Sequence, residues 1–500
     1  MLSELLSSEL ALRRDSGVPL NRQLYEALRR AILDGTLQSG DRLPSSRELT
    51  LDLQLSRNTV VAALNQLRVE GYLTSRVGSG THVHHALPRV SKKKRLSPVP
   101  RSADLSPRGH ALATAFSAQA LEVQPFTPGI EDFSTFPVAL WRRLQNKHWR
   151  MTYPEMLDYS FDGGHLPLRR AVSNYLRVSR SVPLEVDQVI ITSGTQQSLE
   201  LCALMLGNPG DTVWMEDPAY WGALKAFMAG GLKVHAVPVD DAGMAPRATD
   251  GRRPPRMIYT TPSHQYPTGA VMSLHRRQQL LDIARHHKAW ILEDDYDSEF
   301  RFSGPPLASL AGLDPDERVL YLGSFSKVLY PGLKLGYLVV PRRMAPAFKQ
   351  AHYDLNRPGQ MPLQAALAEF IEMGHFASSL RRSRHSYALR RQRLLEALQP
   401  CLQLGASISG AEQGLHLCLH LPPDTPDQAL ARRIAEKGLV VRPLSAYCIE
   451  RSDIRGLVIG YGYAAMAAIE QFGPDLAGAI VQELQARRRM QQAPRLTPDL

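Results

Sequence analysis

Between Val189 and Pro341 the chain passes through seven short apolar runs: VIITSG, DTVWMED, KVHAVPV, MIYTTP, AWILEDD, VLYLGSFSK and LGYLVVP. Longer stretches with helical spacing separate most of them. Two parallel strands cannot be joined by a tight turn and need a crossover of about a dozen residues or more, usually a helix. Strand runs alternating with helical patterns therefore predict an α/β domain with a largely parallel sheet covered by helices. Several of the runs end in a polar or glycine-containing turn. Open sheets of this class bind ligands at the carboxyl ends of their strands.

The chain is 500 residues long, more than one ordinary domain requires. With 44% apolar and 21% charged residues it has the balance of a globular protein. It holds no run of about 18 uncharged apolar residues that would span a membrane. The amino terminus, MLSELLSSELALRRD, lacks a basic start followed by an apolar stretch and does not read as a secretory signal. Cys202, Cys401, Cys418 and Cys448 are scattered with no CxxC pair and no histidine at zinc spacing. Buried or free thiols in a reducing cytosol are expected, with no metal site. The net charge is +11, and residues 1–110 hold 17 Lys and Arg against 10 Asp and Glu. A basic excess concentrated in a fifth of the chain favours a polyanionic partner.

Texture divides the chain into three. Residues 10–84 are helix-rich and end in a short hairpin. Residues 85–120 turn Pro-, Ser- and Lys-rich, including Lys92-Lys93-Lys94-Arg95, and bury too little apolar surface to offset ordering, so a flexible basic linker is predicted. The α/β pattern fills residues 121–490.

In the first segment, Leu20, Leu24, Leu28, Ala31 and Ile32 recur at helical spacing before Gly35 and Gly40 break the chain. Ser45-Ser46-Arg47-Glu48 has the form of a capping box, and Leu49, Leu53 and Leu55 follow as an inward face. Ser56 can cap a third helix, Arg57–Glu70, with Val60, Leu64 and Leu67 inward. Its first turn offers Arg57, Asn58 and Thr59 at the positive end of the helix dipole, where they suit base edges and phosphates. Tyr72–Thr74 and Thr81–His84 then flank a glycine-rich tip, Arg76-Val77-Gly78-Ser79-Gly80. The layout is a helix-turn-helix followed by a wing. The segment LPSSRELTLDLQLSRNTVVAALNQLRVEGYLTSRVGSGTHV resembles the winged-helix domain of the GntR family. The resemblance implies contacts to double-stranded operator DNA from Arg47, Ser56, Arg57, Asn58 and Thr59, with the Gly78–Gly80 wing against the minor groove or backbone.

A fold that uses pyridoxal phosphate must supply a lysine for a Schiff base, donors for the phosphate, a carboxylate at the pyridine nitrogen and an aromatic over the ring. Each has a candidate. SFSK places Lys327 just after a strand, with Ser324 and Ser326 able to bond phosphate. SGTQQSL puts Gly194 and Thr195 at a strand-to-helix turn, where free N–H groups bind anions. EDPAYWG offers Tyr220 for stacking. EDDYDSEF ends a strand on Asp294 and Asp295, with Tyr296 able to reach the phenolic oxygen. Together these motifs resemble fold-type-I aminotransferases, and EDPAYWG, TPSHQYPTG and EDDYDSEF resemble the MocR/GabR-like subgroup of the GntR family. The fold class implied is a small α+β winged helix-turn-helix followed by a large α/β aminotransferase fold.

The resemblance further implies a head-to-tail homodimer, in which Tyr159 of YSFDGG reaches the phosphate in the neighbouring subunit. Three positions depart from the enzyme pattern. Tyr266 stands where many such enzymes have asparagine before PTG, leaving His264 or Gln265 to do its work. Lys334 replaces an arginine seven residues after the Schiff-base lysine and loses the guanidinium fork. Val458 falls where a carboxylate-binding arginine commonly precedes the terminal Gly460-Tyr461 pair, with Arg455 and Arg442 as the nearest alternatives. The expectation is a cytoplasmic, nucleoid-associated transcription regulator that senses an amino compound, or pyridoxal phosphate itself, through Schiff-base chemistry at Lys327. The alternative is a working aminotransferase fused to a DNA-binding domain.

Overall fold

The computed structural model describes residues 16–76, 80–84, 105–114, 123–302 and 308–492. The chain divides into two compact units, 1–103 and 104–500. Among the described residues no helix is long and apolar enough to cross a membrane.

The first unit is built from α1 (Leu20–Asp34), α2 (Ser46–Asp52) and α3 (Arg57–Val69). Strands β1 (Arg42–Leu43), β2 (Leu73–Arg76) and β3 (Gly80–Val83) form an antiparallel sheet in the order β1-β3-β2. Gly35 ends α1 in the left-handed region at φ 86°, a conformation that costs glycine little. Ser45 and Glu48 close the capping box of α2 in both directions, and the Ser56 hydroxyl accepts from the Thr59 amide at the start of α3. Leu24, Leu28, Leu49, Val60, Ala63, Leu67, Leu73 and Val83 share one apolar core, against which Leu20, Leu53 and Leu64 are half-buried. Gly78 and its two neighbours at the wing tip lie outside the described residues.

In the second unit all seven apolar runs are strands. They are β4 (Val189–Thr192), β5 (Thr212–Asp217), β6 (Lys233–Asp240), β8 (Met257–Thr260), β9 (Trp290–Asp295), β10 (Val319–Ser324) and β11 (Gly336–Val339). With the two-residue β7 (Gly243–Met244) they form a sheet ordered β4-β11-β10-β9-β8-β5-β6-β7. The run from β10 through β9, β8 and β5 to β6 is parallel. β11 lies antiparallel to both its neighbours, because the loop returning from β10 holds no crossover helix. Successive side chains enter different cores, as strand geometry requires. Ile190, Met215 and Leu292 join one apolar cluster, whereas Ile191, Trp214 and Ile291 belong to clusters on the other side. Burial on both faces explains why these strands read as continuous apolar runs.

A smaller antiparallel sheet follows, β12 (Ser407–Ser409), β13 (His416–Leu421), β14 (Arg442–Pro443) and β15 (Arg455–Gly460), ordered β12-β13-β15-β14. The long helices His375–Leu402 and Met466–Gln492 pack with it. The predicted linker needs one correction. Pro107–Thr114 is a helix with no buried residue, its proline in the first turn where the missing N–H costs nothing. The four cysteines are free, three of them buried.

Candidate functional site

The carboxyl ends of β4, β5, β8, β9 and β10 surround a cavity of about 310 Å³ in the second unit. Gly194, Thr195, Tyr220, Asp294, Tyr296, Ser324, Ser326, Lys327 and Lys334, nominated from separate motifs, all line it, as do Tyr259, Tyr266 and His416. Gly194 precedes the helix Thr195–Leu206 at φ 105°, and no side chain caps that helix. A Cβ at Gly194 would meet nothing within 4 Å. The first-turn N–H groups are thus open to an anion at the positive end of the helix dipole. Ser324, Ser326 and Lys334 add two hydroxyls and a cation to the same cavity wall.

β9 separates its three acids by face. Glu293 accepts from the Leu310 and Ala311 amides, and Asp295 pairs with Arg180 at 2.9 Å and takes the Tyr321 hydroxyl. Asp294, between them, faces the cavity. Tyr259, on the neighbouring strand, donates to Asp294 Oδ2 at 2.8 Å, and the buried Oδ1 has no partner. Burial pushes the Asp294 carboxyl up to about 7, against the Tyr259 hydrogen bond that lowers it and nearby acids that raise it further. A buried acceptor left unpaired is costly, and a protonated pyridine nitrogen is the donor that would satisfy it. The residues present therefore fit pyridoxal phosphate: an anion cradle at one end, an unpaired carboxylate, and Lys327 on the same cavity wall.

Lys327 sends its ammonium to the Gly129 carbonyl and lies 3.2 Å from Glu131 Oε1. The aromatic wall is formed by Tyr220, Tyr266 and Tyr296, with Tyr266 edge-on to both of the others. Burial, with Asp294 and Tyr266 adding to it, pushes the Tyr220 phenol up to about 12.

His264 is buried behind the wall, its Nδ1 2.9 Å from Asp297 Oδ2 and 3.1 Å from the Tyr296 hydroxyl. Gln265 braces the loop through Pro218 O and the Thr268 hydroxyl. Tyr266 itself occupies the cavity position, and its hydroxyl meets that of Tyr447 at 3.1 Å. His264, Asp297 and His416 bring possible ligand atoms within 4.8 Å of one another, a grouping invisible in sequence spacing. The His264–Asp297 bond and the His416 contact to Pro267 O account for most of their polar atoms. Tyr159 is exposed and stands apart from the cavity wall. Val458 is fully buried with Cys418, Leu444 and Tyr447. Arg455 is spent on the carbonyls of Ser452 and Ile454. Arg442 pairs across to Val458 on β15, and its charge acts on the Tyr266 and Tyr447 phenols. Tyr259, His416, Glu131 and Tyr447 were not anticipated; a tyrosine inside an apolar strand reads as core.

In the first unit, Arg47, Arg57 and Asn58 are exposed and make no hydrogen bond or ion pair among the described residues. Ser56 and Thr59 bond each other at 2.8 Å and serve the cap of α3. Gly80 is exposed at φ 89°.

Two family models match: bacterial regulatory proteins, gntR family, over residues 20–83, and aminotransferase class I and II over residues 143–458. The probable rhizopine catabolism regulatory protein MocR of Rhizobium meliloti is 38% identical over 454 residues, covering 90% of this chain and 92% of that protein. The chain belongs to the MocR-like regulators of the gntR family. This MocR-like chain is also 32% identical to the pyridoxine biosynthesis transcriptional regulator PdxR of Corynebacterium glutamicum, over 91% of this chain and 94% of that one. Among solved structures, kynurenine aminotransferase of Pyrococcus horikoshii, in complex with PMP, matches with a TM-score of 0.67 at 27% identity, covering 73% of this chain and 92% of the other. The α-aminoadipate aminotransferase LysN of Thermus thermophilus, complexed with a phosphopyridoxyl-leucine, gives 0.66 at 27% identity over 73% and 93%. The MocR-like chain is thus a transcription regulator with a DNA-binding winged helix and an aminotransferase-fold domain.

Proposed function

We propose that this regulator binds pyridoxal phosphate in the 310 Å³ cavity and senses an amino compound, or the cofactor itself, through Lys327. The observation that carries the reading is the buried, unpaired Oδ1 of Asp294 on the same cavity wall as a lysine and an uncapped helix start. When bound, pyridoxal phosphate supplies an aldehyde carbon for which Lys327 and a ligand amine compete. The chain's own groups do the rest. The first turn of Thr195–Leu206, with Ser324, Ser326 and Lys334, holds the phosphate; Asp294, fixed by Tyr259, holds the proton on the pyridine nitrogen; Tyr220 and Tyr266 exclude water and shape the amine's approach. If the ligand-bound arrangement prefers a different disposition of reader and sensor, the ligand shifts operator affinity by that preference.

The reader would engage operator DNA through Arg47, Arg57 and Asn58, with Ser56, Thr59 and the Gly78–Gly80 wing alongside. Within the proposed division 10–84, 85–120 and 121–490, the basic middle segment tethers reader to sensor. Exposed Tyr159 suits a head-to-tail homodimer in which it reaches the partner subunit's cofactor phosphate. The expected setting is cytoplasmic, on the nucleoid. The test is a screen of amines and pyridoxal phosphate, read by Schiff-base absorbance and by operator retention on the same samples. A protein that takes up no pyridoxal phosphate, or whose operator retention ignores every compound that alters the absorbance, defeats the reading.

A further inference from the structure

Glu131 is a buried carboxylate, 2% exposed, on the loop that precedes helix Val138–Arg150. Neither of its oxygens accepts a well-directed hydrogen bond, and the cation beside it is the Lys327 ammonium at 3.2 Å. The same ammonium reaches the Gly129 carbonyl. Two acceptors from one loop thus receive the free amine of the very lysine that the proposed function uses.

The loop is held firmly in place. Phe126 is fully buried, and its carbonyl takes the Gly460 amide at 2.8 Å. Any Cβ at Gly460 would press on Thr127 O at 2.3 Å, so the close approach needs glycine there. The Asp132 amide donates to the Tyr387 hydroxyl at 3.0 Å, and Arg390 bonds the Asp132 carboxylate. Glu131 is therefore delivered to Lys327 by a clamped backbone rather than by a loose side chain.

We propose that Glu131, with the Gly129 carbonyl, is a docking station for the free ammonium of Lys327, which favours the state in which a ligand amine has displaced the lysine. The inference rests on the Schiff-base reading above and deepens it. With Lys327 bonded to the cofactor, Glu131 would lose its cation and remain a buried acid, a costly arrangement; burial already pushes its carboxyl up, with Lys327 pulling the other way. The exchange itself is balanced: one carbon–nitrogen double bond to Lys327 breaks as one to the ligand forms, the ligand's ammonium is replaced by that of Lys327, which stays in the site, and nothing is oxidised or reduced. Glu131 acts on it only by stabilising the departing ammonium, so it is a positioning residue.

This assigns opposite signs to two measurable equilibria. Glu131 stabilises every state with a free lysine, both before cofactor uptake and after ligand exchange. Glu131→Gln should therefore lower the pyridoxal phosphate concentration that half-saturates the Schiff-base absorbance, and raise the amine concentration that half-abolishes it. Each shift should be about tenfold, equivalent to about 1.4 kcal/mol. Glu131→Asp, which keeps the charge but shortens its reach, should restore part of both, and melting curves show whether each variant is folded. General damage to the pocket would weaken both equilibria together, so unchanged half-points or two shifts in the weakening direction overturn the docking station. A parent protein with no Schiff-base absorbance at all overturns the sensing reading and this inference with it. A parent that exchanges amines normally while Glu131→Gln matches it overturns the docking station alone.

Discussion

Tyr259 and Asp294 stand on adjacent parallel strands, and the tyrosine hydroxyl holds one carboxylate oxygen at 2.8 Å while the other is buried without a partner. The relationship fixes the carboxyl group through one oxygen only. Its folded-state pKa is raised to about 7 from an ordinary 3.8. Between these values the native state binds more protons than the unfolded chain, so this group's contribution to stability falls as pH rises through the window. Asp294→Asn removes the penalty. The cofactor-free variant should be more stable than the parent at pH 8, by up to about 4 kcal/mol at 1.36 kcal/mol per pKa unit, with the gap shrinking towards pH 4. The same change should weaken cofactor uptake, because the amide no longer favours a protonated pyridine. Denaturation at several pH values, beside an absorbance titration, checks both halves. A variant that loses stability at pH 8 would contradict the assigned strain.

Lys327→Ala should leave the protein folded and abolish the Schiff-base absorbance. The side chain is partly exposed, and its polar contacts are to the Gly129 carbonyl and Glu131, so its loss removes no apolar packing from the core. A persistent Schiff-base band in the variant would move the anchor to another lysine.

How much of this was legible beforehand follows from where the information sits. Asp294, Lys327, Gly194 and Tyr220 announce themselves because each lies at or within three residues of a strand's carboxyl end in a short local motif. Tyr259 does not, because a fully buried strand conceals a functional tyrosine among core residues. Glu131 and His416 come to the cavity region from segments remote from those motifs, and only tertiary packing brings them there. His264 cannot be placed from sequence, because a loop sequence does not say which of three successive side chains, His264, Gln265 or Tyr266, faces inward. The reversed direction of β11 leaves no mark on its apolar run. In the reader, the caps and the apolar spacing were enough, because helices of this length are set by local signals and one buried face.

Arg57→Ala should weaken operator binding and leave cofactor uptake unchanged. Arg57 is exposed at the first turn of α3 and is engaged with no other described residue. Loss of one good base contact typically costs about 1–3 kcal/mol. Binding measured at one stated salt concentration, on operator and unrelated DNA alike, separates base reading from a phosphate contact. Equal affinities for parent and variant would remove Arg57 from the interface.

Ser56→Ala should act differently. Ser56 accepts the Thr59 amide and meets its hydroxyl, so its removal uncaps α3 and should cost about 1 kcal/mol of stability in the first unit. DNA affinity should then fall less in Ser56→Ala than in Arg57→Ala when both are compared well below the melting temperature. The reverse order would make Ser56 a direct DNA contact rather than a cap.

A transaminase must hold its substrate's carboxylate so that the bond to be broken is aligned, and such positioning supplies much of a catalyst's advantage. At the position where that arginine is expected, Val458 is fully buried against Leu444 and Tyr447, and Arg455 is engaged by backbone carbonyls. Arg442 lies across the strand pair from Val458 and near two phenols, but on a different strand from the expected clamp. The protein should therefore exchange Lys327 for a suitable amine and alter its DNA binding, with little or no multiple-turnover transamination. Incubation with a panel of amino acids and an oxo-acid acceptor measures this directly. Sustained product formation at roughly 1 per second or faster, the range of ordinary enzymes, would replace the sensor by an enzyme carrying a DNA-binding domain.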